Sequence, residues 1–152
     1  MAGVRVLLDR QGTFIVEVPQ AIEYLNKRMF DNIYHEHVSV FSVKSLVELY
    51  KQFDMEIYNI EAIDVQGGSM RVFARFSTAE ALRSEVVEKW LAKEQSIGLF
   101  SQDTYESYAK AVAKNRDDLL AILQDIKAAG KTVIVYGASA KGNTLLNYYG
   151  IG

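Results

Sequence analysis

His35, Glu36 and His37 follow Tyr34 in the stretch DNIYHEHVS (31–39), and these are the chain's only two histidines. Three readings fit residues of these types. A metal clip needs about three or four ligands. The H-x-H spacing supplies two, Glu36 would point the other way on a strand, and the chain has no cysteine to complete the set. An acid–base centre needs less. A histidine titrates near neutrality, a neighbouring carboxylate can hold its tautomer, and a tyrosine can orient a substrate or relay a proton. A polar turn with two hydrogen-bonded histidines needs nothing more. Spacing alone leaves the last two level.

A second stretch, YGASAKGNT (136–144), offers a different chemistry. Small residues let a backbone approach a ligand, helix N-terminal amides attract anions, and Lys141 adds a positive charge. Lys141 precedes Gly142, so this is not the phosphate loop of the nucleotide triphosphatases, and the spacing is not GxGxxG. A phosphate or pyrophosphate cradle and an ordinary tight turn both fit. A third stretch, GGSMR (67–71), reads on local grounds as a hairpin turn opening a strand, with nothing local that directs Arg71 to a ligand.

These stretches need elements to hold them. VRVLLDRQ (4–11) reads as the tail of a helix ending at Gly12, and GTFIVEVP (12–19) as a buried strand closed by Pro19, the only proline. Residues 20–30 can form a short helix. SVKSLVELYKQF (42–53) is amphipathic, with Val43, Leu46, Val47 and Tyr50 on one face, Ser42 as N-cap, and Phe41 placed to staple onto Leu46. MEIYNIEAI (55–63) and SMRVFARF (69–76) read as antiparallel strands joined by a turn at Gly67 and Gly68. Long helices follow over 78–98 and about 103–129, capped by Thr78 and by Asp103 with Glu106. Tyr105, Tyr108, Val112, Leu119, Leu123 and Ile126 share one face of the second, and Gly130 ends it. KTVIVYG (131–137) reads as another buried strand, and the chain turns helical again around Thr144.

The length, 152 residues, suits roughly one domain's worth of core. Hydrophobic residues make up 49% and charged residues 24%, and the net charge of -2 gives no reason to expect a nucleic-acid partner. Without cysteine there are no disulfides. No apolar run approaches the roughly 18 residues of a membrane span, no signal peptide is visible, and the expected location is cytoplasmic.

Taken together, IVEVP (15–19), FDNIYHEHVSVFS (30–42), GGSMRVFAR (67–75) and VYGASAKGNTLLNYYGIG (135–152) resemble the S-adenosylmethionine-dependent C-methyltransferases that act on nucleotide-linked ketosugars. The resemblance runs along nearly the whole chain. It implies an α/β fold: a partial class I methyltransferase sheet (its last three strands), then two long helices and the first βα unit of a Rossmann-like domain. It divides the chain into 1–77, the end of the methyltransferase domain, and 78–152, the truncated start of the C-terminal domain. The three strands are expected in the order 13–18, 69–76, 55–63, the middle one antiparallel to both neighbours.

The resemblance also assigns roles. His37 is the base that removes the proton alpha to the sugar ketone, and Tyr34 and Glu36 orient base and substrate. His35 has no family role, and a structural hydrogen bond is expected of it. Ser139, Lys141 and Asn143 contact the nucleotide-diphosphate handle, expected to be that of a dTDP-linked ketosugar of deoxysugar biosynthesis. Val40 stands where the family commonly has an aromatic, which bears on substrate shape. The cofactor implied is S-adenosylmethionine; its main glycine-rich loop and a zinc region lie outside the residues present, so the chain by itself is expected to be an inactive fragment. Its first strand would expose an apolar edge, so self-association is expected. Two other readings stand beside the enzyme: a nucleotide or nucleotide-sugar binding module in which HEH is structural, and a plain interaction domain.

Overall fold

Strict alternation in SMRVFARF puts Met70, Val72 and Ala74 on one face of a strand and Arg71, Phe73 and Arg75 on the other. In the computed structural model, which describes residues 1–65, 67–77 and 84–152, that pattern sets the sheet. Three strands form among the described residues: β1 (Phe14–Pro19), β2 (Met55–Ile63) and β3 (Ser69–Phe76). Their order is β1-β3-β2, with β3 antiparallel to both. Both the order and the antiparallel middle strand are those anticipated above.

Charge pairs directly across the strands hold the register. Arg71 faces Glu17 on β1 and Glu61 on β2, at 3.1 and 3.6 Å. Arg75 binds Glu56 at 2.8 Å and lies over the Tyr58 ring. Each pair contributes little alone because it is half in water, but a slip by one residue would carry these charges into the core. Arg71 is thus committed to two carboxylates.

The helices are α1 (Ala2–Leu7), α2 (Ala21–Asn26), α3 (Val43–Lys51), α4 (Glu85–Ser96), α5 (Gln102–Ala128) and α6 (Ala140–Tyr149). The chain forms two compact units, one of Met1–Tyr24 with Val40–Phe100, the other of Leu25–Ser39 with Ser101–Gly152. In the first unit, α3 and α4 pack on the apolar face of the sheet. Val43, Leu46 and Tyr50 bury against Met55, Ile57, Met70 and Val72, with Val87 from α4. Burial pushes the Tyr50 phenol up to about 12. In the second unit α5 is the longest element, and residues Phe30–Asn32 make a 3-10 turn that packs on α6.

Ser42 caps α3 as anticipated: its hydroxyl accepts the Ser45 amide at 3.0 Å, and Ser45 returns the bond. Phe41 packs against the core that holds Leu46. Gly130 takes φ +69 after α5. Its amide and that of Lys131 close on Lys127 and Ile126 in a Schellman pattern.

Several expectations are corrected. Residues 131–137 are not a strand: they form no ladder with a described strand, with Ile134 86% exposed and Tyr136 fully so. A strand needs ladder partners for its backbone groups, and no described strand pairs with this one. The anticipated βα unit is therefore a helix without its strand. That helix starts at Ala140, not near Thr144, because Ser139 caps it. α1 stops before Gly12, since the Asp9 carboxylate draws the Gln11 amide into a local turn. α2 ends at Asn26, ahead of Arg28 at φ +53. α5 starts after Ser101, not Asp103, and Glu106 binds Gln102. α4 starts after Ser84, whose hydroxyl takes the Val86 amide. Thr78 and the rest of the anticipated stretch before Ser84 lie outside the described residues.

Candidate active site

The HEH stretch is a loop whose ends are tied together. Gln20 and Phe41 form a parallel bridge, with the Ala21 amide donating to Phe41 O at 2.9 Å. The buried Gln20 also reaches the β2–β3 turn: its amide donates to Gly68 O and its Nε2 to Ser69 O, both at 3.4 Å. So the GGS turn and Phe41 both hold Gln20 within the first unit. A Cβ at Gly68 would lie 2.5 Å from Glu23 Cγ, and the residue sits at φ +127, which favours glycine alone.

Inside the loop each turn closes on the previous one. The Asn32 amide donates to Met29 O, Ile33 to Phe30 O, and Tyr34 to Asn32 O. The His37 amide donates to Tyr34 O at 2.9 Å, which folds residue 37 back over residue 34. The side chains meet as a result. His37 Nε2 lies 2.9 Å from Tyr34 Oη, with ring centroids 4.7 Å apart and edge to face. Either atom can donate. With the phenol donating, Nε2 carries the imidazole's lone pair; with Nε2–H donating, Nδ1 carries it. Both arrangements leave the pair able to take a proton.

Tyr34 and His37 are half-buried, whereas His35 and Glu36 are exposed. His35 touches the edge of Tyr34, centroids 6.0 Å apart. The hydrogen bond expected of His35 is absent among the described residues, and Glu36 meets neither Tyr34 nor His37 through one. No group of three His, Asp or Glu side chains there gathers as a metal site. Ile33 and Val38 bracket the pair and are exposed, Val38 at 89%.

The second stretch belongs to the same unit. Ser139 Oγ accepts the Gly142 amide at 3.1 Å and caps α6. A ligand at this helix start would meet the amides of Ala140 and Lys141. A groove of about 630 Å³ opens there, lined by Val135, Tyr136, Gly137, Ser139, Asn143 and Leu146 among others. Of the three expected handle residues, Ser139 and Asn143 line it and Lys141 does not. Asn143 Oδ1 accepts from Asn147 at 3.0 Å, so its side chain is oriented from within the helix.

The far end of α6 meets the HEH loop. Phe30 lies 5.2 Å from the Tyr148 ring and 5.5 Å from the Tyr149 ring. Burial, then Tyr148 and Asp31, push the Tyr149 phenol up, so it stays neutral. Sequence reading missed these contacts. Their signal was faint: aromatic residues at the edges of two motifs that lie far apart in the chain.

A tyrosine–histidine pair in hydrogen-bond contact and a capped helix start thus lie in the same unit of an α/β chain. Residues 64–152 match the family described as the C-methyltransferase C-terminal domain. The C-methyltransferase NovU of Streptomyces niveus is 38% identical over 150 residues, 99% of this chain and 36% of that protein. The chain belongs to this C-methyltransferase family. It spans little more than a third of the length of that relative. No helix among the described residues is long and apolar enough to cross a membrane.

Proposed function

We propose that this chain is the part of an S-adenosylmethionine-dependent C-methyltransferase that deprotonates a nucleotide-linked ketosugar, with His37 as the base. The observation that carries this reading is the 2.9 Å contact between His37 Nε2 and Tyr34 Oη on a loop tied at its neck. The imidazole takes the proton alpha to the ketone. The phenol orients the ring, and once the proton has moved it is placed to stabilise the enolate oxygen. Exposed Glu36 orients substrate from the loop's outer side.

S-adenosylmethionine supplies an electrophilic methyl group. Gly68, at the start of β3, does not offer it a cradle: the position backs onto Glu23, which fills the space a ligand would need. No residue here is assigned to hold it.

Ser139 and Asn143 in the groove, with Lys141 beside them, contact the diphosphate handle of a dTDP-linked ketosugar in the cytoplasm. The domain division at residues 77 and 78 belongs to this same reading. The test is His37→Ala in the full-length protein. Methyl transfer should fall by about 10²–10⁴-fold while nucleotide-sugar binding survives, and Tyr34→Phe should fall less. Turnover near wild type in His37→Ala would remove the base assignment.

The groove at the α6 start favours a second reading, a nucleotide or nucleotide-sugar binding module without catalysis. Calorimetry with a nucleoside diphosphate, wild type against Lys141→Ala, tests the handle site. Binding that survives in a protein whose methyl transfer ignores His37→Ala would favour the module.

A further inference from the structure

α6 is occupied at both ends. Its first turn lines the groove, and its last turn carries Tyr148 and Tyr149. Tyr149 is 7% exposed and its ring stacks on Phe30, with an angle of 26° between the planes. Tyr148 meets Phe30 from a second direction at 52°. Phe30 is thus held by two rings, and neither contact is between sequence neighbours.

Phe30 also opens the turn that places the acid–base pair. Its carbonyl accepts the Ile33 amide at 3.0 Å. The next residue, Tyr34, donates to Asn32 O at 3.1 Å and accepts the His37 amide at 2.9 Å. Tyr149, Phe30, Ile33, Tyr34 and His37 are therefore linked in series, each step a ring contact, a hydrogen bond or a peptide bond.

We propose that Tyr149 and Phe30 are positioning residues for the Tyr34–His37 pair, with α6 as a strut between the groove and that pair. The catalytic meaning rests on the function proposed above; the positional claim rests on the stack. A helix of 10 residues is about 15 Å long at 1.5 Å per residue, and its hydrogen-bonded backbone is stiff over that length. Aromatic pairs hold a preferred angle as well as a distance, which an aliphatic contact does not. The buried, neutral Tyr149 phenol keeps charge out of the stack.

The test uses the 152-residue chain and reads no turnover. Ring nitrogen signals of the two histidines, with His35→Ala to assign them, report the His37–Tyr34 bond. Amide exchange of Ile33, Tyr34 and His37 reports the turn. Tyr149→Ala should raise exchange at these three amides about three- to tenfold, the equilibrium equivalent of losing one aromatic pair. It should also move the His37 Nε2 signal toward its position in Tyr34→Phe. Tyr149→Phe keeps the ring and should match wild type, and β3 amides should stay unchanged in both. Wild-type values in Tyr149→Ala overturn the proposal, as does a Tyr149→Phe variant that behaves like Tyr149→Ala. If Tyr149→Ala unravels α6, Phe30→Leu read in the same way decides: loosening of the three amides supports the strut, and unchanged exchange overturns it. Unchanged signals here combined with loss of methyl transfer in His37→Ala would sink the strut and leave the base assignment standing.

Discussion

Glu94 caps a helix it does not belong to: its carboxylate, on α4, accepts the backbone amide hydrogen of Val43, the first residue of α3. Its second oxygen accepts the Lys44 amide at 3.1 Å, and the side chain is 1% exposed. The first amides of a helix have no partner within it. Ser42 takes that of Ser45 and Glu94 takes the two before it. Negative charge at this end also meets the positive end of the helix dipole.

Removing that side chain should be costly. Glu94→Ala strands the buried Val43 amide, frees that of Lys44 and leaves a void, so a loss of about 3 kcal/mol is expected. Glu94→Gln keeps one acceptor oxygen and should lose less. Urea unfolding of the three proteins measures this, and equal losses for Ala and Gln would show that the acceptor oxygens are not what matters.

The same group predicts a pH effect. Burial raises the Glu94 carboxyl above its ordinary 4.5, against the downward pull of the two amide bonds and Lys44. A carboxyl raised on folding holds its proton more tightly in the folded state. Its contribution is fully present below about pH 4.5 and is lost as pH rises through the raised folded value. Glu94→Gln has no such titration. The stability difference between wild type and Glu94→Gln should therefore shift against wild type as pH rises through that window, and a pH-independent difference would contradict it.

Gly68→Ala should destabilise by about 1–3 kcal/mol, since φ of +127 suits only glycine and the new methyl would press on Glu23. Thermal unfolding reads the loss. The Gln20–Phe41 bridge should suffer too: amide exchange at Ala21, which donates to Phe41, should rise more than exchange at Val72 in the middle of β3. Equal changes at both would show that the GGS turn does not brace this bridge.

How much of this could be read beforehand varied with the range of the interaction. The alternation of Met70, Val72 and Ala74 against Arg71 and Arg75 is local, and β2 and β3 took the expected bounds. The Ser42 cap is local as well. Residues 131–137 have strand composition, but a strand is a relation between segments, and composition does not say whether a partner is there. Glu94 looks like one more solvated charge on a helix, because its partners lie about 50 positions earlier. Tyr34 and His37 were picked out by type and by family likeness, and the turn that joins them depends on bonds to Met29 and Phe30 that spacing does not reveal. The grip of Tyr149 on Phe30 spans most of the chain and has no local signature.

Self-association remains our prediction, on the ground of what the first unit leaves open. β1 pairs with β3 on one side, no described strand covers its other edge, and Ile15 is half exposed. An uncovered apolar edge recruits a neighbour. Light scattering across a concentration series should show mass rising above that of the monomer, and a clean monomer at every concentration would refute this.

The order in which the chain visits its two units restricts how it can be taken apart. It leaves the first after Tyr24, returns at Val40 and departs again after Phe100. A single cut after Phe100 therefore frees the first unit only with Leu25–Ser39 still attached, and no single cut frees the second unit whole. A chimaera joined once between Ser39 and Ala140 would pair a loop from one parent with an α6 from the other, so exchanges of whole units between relatives should respect three junctions at once.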